Sequence, residues 1–252
     1  MLRIVSLSIF VLAFVLSSMP YAQADGVGRG YSQADYRNLT LSYLALYNSG
    51  NPTDEMIDEY SEFAYCELYR KNFSDDFKWD SIRRSIKKDI RAYNTNIHRH
   101  YEIDGELFLD RYDFDRKEFP IAEKSALRNV GQLEIFAANT YFIFCNRSGT
   151  LHVLPERYYL RLLKPLVLLK VSIDTEKARE VIKYTEISRS GHRKVYSRFR
   201  FEVSDIFSVP GAKKSIGDIN KASFRGEIKS IELFVDKEMT KKFHTIDLDS
   251  QF

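Results

Sequence analysis

Residues 79–109 read WDSIRRSIKKDIRAYNTNIHRHYEIDGELFL, and the hydrophobic period changes within this stretch. Trp79, Ile82, Ile86, Ile90, Tyr93 and Ile97 follow one another at helical intervals of three or four residues. Such intervals place all six on one face of an α-helix. Arg83, Arg84, Lys87, Lys88 and Arg91 fall off that face. A basic amphipathic helix can lie on an anionic membrane or pack its apolar stripe into a core. Two apolar-striped segments precede this one and favour packing. Beyond Tyr101 the period shortens. Glu102-Ile103-Asp104-Gly105 is turn-like, and Leu107, Leu109, Tyr112 and Phe114 then alternate with polar residues. The reading is an α+β fold: a helical N-terminal third packed on or beside a mainly antiparallel β-sheet.

Upstream, Ser32 is positioned to cap a first helix carrying Tyr36, Leu39, Tyr43, Leu46 and Tyr47. Asn48-Ser49-Gly50-Asn51-Pro52 stops it. Thr53 caps the next helix, whose first turn carries Asp54 and Glu55 against the positive end of the helix dipole. Ile57, Tyr60, Ala64 and Leu68 form its inward stripe, and Ser74-Asp75-Asp76 ends it or caps the helix that follows.

Downstream, Leu133–Ile135 and Tyr141–Ile143 are expected as strands, paired as a hairpin across Ala138-Asn139. Residues 158–172 read as extended, with Pro165 marking an edge or a bulge. Asp174 or Thr175 caps a short helix through Tyr184. After the Ser190-Gly191-His192 turn, Val195, Ser197, Phe199, Phe201 and Val203 alternate with Tyr196, Arg198, Arg200 and Glu202. That is a strand with one apolar and one basic face. Residues 224–235 and 243–248 supply the last strands. Glu106-Leu107-Phe108-Leu109-Asp110 nearly repeats as Glu232-Leu233-Phe234-Val235-Asp236, a similarity that amphipathic strands produce by chance.

The N-terminus reads as an export signal. Arg3 precedes an apolar run from Ile4 to Leu16; Ser17, Ser18 and Pro20 break it; Ala22-Gln23-Ala24 offers small residues at the cleavage positions. The expected cut lies between Ala24 and Asp25. A membrane-spanning helix needs roughly 20 apolar residues, and this run is shorter. Residues 1–24 are thus expected as signal peptide, 25–31 as a flexible leader, and 32–252 as one α+β domain. Residues 32–101 form its helical part and 102–252 its β-rich part. No transmembrane segment is expected after cleavage, and the expected address is the periplasm or the medium.

Export alters the reading of the two cysteines, Cys66 and Cys145. In an oxidising compartment they are a disulfide candidate. Closing that loop would stabilise by roughly 4–5 kcal/mol on a chain-entropy model. Two buried thiols acting as small apolar side chains are the alternative.

The 252 residues carry a formal net charge of +3, which excludes the strongly basic class that binds nucleic acid. Charge is uneven, however. Residues 51–67 hold six acids and no base, whereas residues 151–200 hold twelve Lys or Arg against five acids. Arg193, Lys194, Arg198 and Arg200 are the candidates for a surface that meets an anionic partner. Solvated faces that pair with one another are the plainer account.

Chemistry is harder to find. His98-Arg99-His100 chelates a metal only in an extended segment, and Arg99 would repel the cation. No other cluster has ligand spacing, so no metal and no cofactor are expected. The G-x-S-x-G elbow, the phosphate loop and the dinucleotide fingerprint are all missing from the sequence. Acid pairs such as Asp54/Asp58 and Asp113/Asp115 serve glycoside hydrolysis only at a set separation across a cleft. Catalytic residues therefore stay unassigned.

Several short features resemble a domain-of-unknown-function family of exported bacterial proteins. They are Ile57-Asp58-Glu59-Tyr60, Cys66 with Leu68-Tyr69, Asp76-Phe77-Lys78-Trp79, and Tyr112-Asp113-Phe114 ahead of Phe119-Pro120. The resemblance implies a bacterial, periplasmic setting and no reaction. The expected function is that of a soluble envelope protein acting by binding, to an envelope protein or an anionic surface ligand. An envelope hydrolase and a secreted factor acting on a host or competitor are the alternatives.

Overall fold

The computed structural model describes residues 30–137, 142–144, 147–149, 151–207 and 221–248. The signal segment, the Ala24–Asp25 junction, most of the leader, the Ala138-Asn139 turn and Cys145 lie outside the described residues. Tyr31–Phe252 form one compact unit. The fold is α+β, and of the five α-helices among the described residues four stand ahead of the main strands.

The chain opens with β1 (Ser32–Gln33) and α1 (Tyr36–Leu46). Ser32 is therefore a strand residue, and Asp35 caps α1 by accepting from the Asn38 amide. A carboxylate at that position also opposes the helix dipole. Next come α2 (Asp54–Ala64), α3 (Cys66–Asn72) and α4 (Asp76–Asn94). Thr53 caps α2 as expected, accepting from the Met56 amide at 3.3 Å. The helix breaks at Tyr65, whose backbone leaves the helical region, so Leu68 belongs to a separate helix. Asp75 caps α4, which buries Trp79, Ile86 and Ile90 as its spacing predicts. The helix accordingly packs into the core.

The strands are β2 (His100–Leu109), β3 (Glu118–Pro120), β4 (Leu127–Ala137), β5 (Phe142–Phe144), β6 (Arg147–Gly149), β7 (Arg157–Leu168) and β8 (Lys170–Ser172). Then follow α5 (Thr175–Tyr184, capped by Asp174), β9 (Arg193–Phe207), β10 (Lys221–Phe234) and β11 (Lys242–Asp247). The main sheet runs β1-β2-β9-β10-β7-β4, and β11 also pairs with β10. Most neighbours are antiparallel; β1–β2 and β7–β10 are parallel.

Two expectations change here. Glu102–Gly105 lies inside β2 rather than in a turn, because β9 supplies hydrogen bonds along its whole length. Gly105 sits opposite Ser197 in that ladder. Residues 133–135 do form a strand, but β4 pairs with β7, while β5 pairs with β6. The expected bulge at Pro165 is present. The β4–β7 register slips between the Val130–Leu166 and Gln132–Arg161 pairs.

Alternation along the strands separates the two faces of the sheet. Leu107, Phe199, Phe201, Phe224 and Leu233 point inward to the core shared with the helices. Buried hydroxyls tie that interface together: Thr40 meets Tyr158 Oη at 2.8 Å, and Ser42 meets Tyr101 Oη. Burial pushes both tyrosines above their ordinary range. Such bonds satisfy polar groups that would otherwise be costly to bury.

Candidate functional site

The outward side chains of β2, β9, β10 and β11 form a layer of crossed charges. The register sets it: Glu102 lies opposite Arg200, Asp104 opposite Arg198, and Arg198 in turn opposite Glu232. Arg198 donates to Asp104 in bidentate fashion, at 2.8 and 3.1 Å. That carboxylate raises the Arg198 guanidinium above its ordinary range. Arg200 reaches Glu102 at 3.2 Å and Glu232 at 3.3 Å. Lys242 closes on Glu232 at 2.7 Å. Lys194 meets Glu106 at 2.5 Å, and that bond raises the ammonium. Lys229 lies between Glu202 and Glu227.

Six carboxylates thus interlock with five cations across four strands. Aromatic rings border them. Arg200 stacks over Tyr31, Lys194 over Tyr196, and Arg198 over Phe234.

This is where the sequence-nominated cations fall. Lys194, Arg198 and Arg200 are on the layer, each engaged with a carboxylate. Arg193 is elsewhere: it donates to the carbonyls of Thr185 at 2.8 Å and Ile182 at 3.4 Å, at the C-terminal end of α5. Burial and the neighbouring Arg111 lower its guanidinium. The four do not make an open cationic patch. The acids that offset them on β2 and β10 lie outside the basic segment, so a count along the chain misses them.

Farther along the outer face the character changes. Arg161 and Arg225 stack over Phe207. Beyond them β7 exposes Leu163 (50%) and Val167 (56%), and Leu169 (39%) follows its last residue; they alternate with buried Leu162, Leu166 and Leu168. Aligned apolar exposure of this kind is a contact signal, where a lone exposed leucine is not. The irregular spacing around Pro165 hides this strip from a simple two-residue pattern.

A second polar site stands where β2 ends. Asp110 Oδ1 and His192 Nδ1 are 2.6 Å apart, with the imidazole partly exposed. Ser188 and Ser190, in the same turn, hydrogen-bond each other at 2.8 Å. The Ser188 amide donates to the His192 carbonyl at 2.7 Å. Among the described residues no group of three His, Cys, Asp or Glu is placed to hold a metal. His98 turns its ring to the His100 carbonyl instead, and burial lowers its pKa.

The acids of the segment 51–67 have structural employment. Asp58 accepts from Trp79 Nε1 at 2.8 Å and from Arg83 at 2.9 and 2.8 Å, clamping α2 to α4. Asp54 pairs with Lys87, which lowers its carboxyl. Glu59 accepts from three successive amides, those of His152, Val153 and Leu154. It therefore holds a distant loop onto α2. Tyr112 Oη donates to the Ile173 carbonyl at 2.9 Å. Cys66 is disulfide-bonded; the expected partner, Cys145, lies outside the described residues. No helix among the described residues is long and apolar enough to cross a membrane.

A family model described as Domain of unknown function (DUF4852) matches residues 53–184. No curated protein and no solved structure matches the chain. The match includes the clamps made by Asp58, Glu59 and Trp79, and it stops short of β9, β10 and β11.

Proposed function

The chain belongs to the family described as Domain of unknown function (DUF4852), and from that premise we propose that it is an exported bacterial binding module that works through the outer face of its sheet. The family segment holds the scaffold together, and its most engaged polar residues are occupied in doing so. The observation that carries the proposal is the exposed Leu163, Val167 and Leu169 strip beside an ordered polar layer. A surface of this kind is suited to contact.

Export rests on the reading of residues 1–24. N-terminal sequencing of protein recovered from a bacterial envelope should begin at Asp25; retention of Met1 would sink that part. Fractionation separates periplasm from medium, and with it an envelope role from action on a host or competitor. The Cys66–Cys145 pairing belongs to the same proposal. Alkylation without reductant should leave both thiols unmodified. Binding is tested by placing a photo-crosslinker at Val167 and, as a control, at exposed Lys88 on α4. Adducts with an envelope component at position 167 alone are expected; equal labelling at both counts against the outer face.

The hydrolase reading has one observation in its favour, the Asp110–His192 contact. A carboxylate on Nδ1 leaves Nε2 to act as a base. Turnover of a nitrophenyl ester that disappears in His192→Ala would support it.

A further inference from the structure

We infer that the β7 end of the outer face docks on an anionic phospholipid surface, an inference that rests on the binding-module reading above and names its partner. The first argument is charge. In the crossed layer each cation has a carboxylate. Arg161 and Arg225 do not. They stand opposite each other where β7 pairs with β10, and both are exposed. The Phe207 ring holds them, its centroid 4.7 Å from Arg161 and 5.6 Å from Arg225, and neither has a carboxylate partner among the described residues. Asp205 is opposite Arg225 on β9, but it accepts from the Ile206 amide at 2.7 Å. From Arg157 to Ile173 the chain carries four cations and no acid. Arg157 and Lys170 are met by Glu134 and Glu118 from other strands. A ring supplies no acceptor to a guanidinium fork, and phosphate oxygens do. An anion arriving at Arg161 and Arg225 displaces no carboxylate.

The second argument is the apolar row that continues from these arginines. Leu163, Val167 and Leu169 are exposed on the outer face, with Lys164 and Pro165 exposed between them. Buried Leu162, Leu166 and Leu168 fix which way the three point. Apolar tips beside cations suit a lipid interface: the tips enter the acyl boundary while the cations stay at the level of the phosphates. Long basic side chains reach that level with their stems along apolar surface.

The third argument separates a lipid from a protein. The exposed tips are all aliphatic, and from Leu163 to Leu169 they extend over about 20 Å at strand rise. Protein interfaces centre on aromatic anchors seated in pockets and are depleted in Lys. A lipid leaflet needs no matching pocket and takes such a row at any position.

The test is flotation with phosphatidylcholine vesicles, with and without phosphatidylglycerol. Protein recovered from the envelope is used, because an uncleaved apolar run from Ile4 to Leu16 would bind lipid by itself. Flotation with the anionic vesicles is expected. Salt should weaken it without abolishing it, since screening acts on the ionic part alone. Arg161→Gln and Arg225→Gln should each weaken binding about fivefold, the worth of one cation at an anionic surface. Leu163→Ser combined with Val167→Ser should weaken it by about tenfold or more. Lys88→Ala, on α4, should leave it unchanged. The photo-crosslinker at Val167 should form an adduct with an acyl chain. Circular dichroism establishes that each variant is folded; if the double serine variant unfolds, the two arginine variants carry the test.

Absence of flotation with phosphatidylglycerol overturns the inference, as does equal flotation with phosphatidylcholine alone. Undiminished binding by the folded variants does so too. If Val167 crosslinks to a protein and never to lipid, the binding module stands and the lipid surface falls. If it crosslinks to nothing in the envelope, both fall.

Discussion

The two ends of the outer sheet face solve exposure in opposite ways. On β2, β9, β10 and β11 the outward charged side chains have their opposites within reach. Beyond Arg161, Leu163 and Val167 of β7 and the following Leu169 are apolar and remain partly in water. Both regions share one sheet and one core. The difference teaches that exposure and charge do not by themselves locate a contact surface. What matters is whether a group's partner is already inside the molecule.

The seam between the regions offers the most severe way to break the comparison. A Cβ on Gly226 would fall 2.1 Å from the Glu202 carbonyl oxygen and 2.9 Å from Leu160 Cδ1. Backbone cannot yield as a flexible side chain does. Gly226→Ala should therefore destabilise by more than about 3 kcal/mol, the range of severe overpacking. Urea unfolding measures it; a loss under about 1 kcal/mol would show that the seam relaxes.

The ionic region is next. Glu232 is nearly buried and anchors both Arg200 and Lys242. Glu232→Gln leaves two cations without their shared carboxylate. The partners are partly exposed, so the loss should be about 2 kcal/mol, below that of a fully buried pair. Asp104→Asn, more open to water, should cost about 0.5 kcal/mol and less in high salt. Equal costs at the two positions would deny that the layer has a buried centre.

Beneath that layer, on the inner face, Ser197 Oγ is fully buried and has no hydrogen-bond partner among the described residues. Ser197→Ala removes the unpaired hydroxyl and should be neutral or stabilising by up to about 1 kcal/mol. A marked fall in thermal midpoint would indicate a partner for that hydroxyl.

pH probes the sheet differently. Burial holds His98 and His244 below the ordinary histidine range. The unfolded chain then takes up protons more readily than the folded one. Their contribution is fully present above the unfolded histidine range, near pH 6.5, and is lost as pH falls through the lowered folded values. The thermal midpoint should drop between pH 7.5 and pH 5, and His244→Leu should flatten the drop. At the far end of the scale, Leu163→Ser and Val167→Ser should move stability by no more than about 0.5 kcal/mol, yet reduce crosslinking to a partner. A large loss of stability would make the β7 strip part of the core.

Much of the architecture was legible in local spacing. The stripe from Trp79 to Ile90, the Thr53 cap and the Asp174 cap all stand where periodicity and capping chemistry put them. So does the alternation of β9. The errors are instructive. Ser32 and Asp35 are both good caps, and only the pairing of β1 with β2 takes Ser32 out of contention. Residues 102–105 look like a turn because Asp and Gly disfavour strands, until Arg198, Arg200 and Ser197 stand opposite. Tertiary pairing overrides a weak local preference.

What the sequence alone determined is therefore the kind of each element and the face it buries. Those follow from side-chain period and backbone sterics within a few neighbouring residues. What only the tertiary structure decided is who meets whom. Glu102 and Arg200 are 98 residues apart, and Glu59 reaches amides 93 to 95 residues away. A charge has no period and no local partner to announce it, so the segment 193–200 reads as a basic surface until the strand register sets carboxylates beside it.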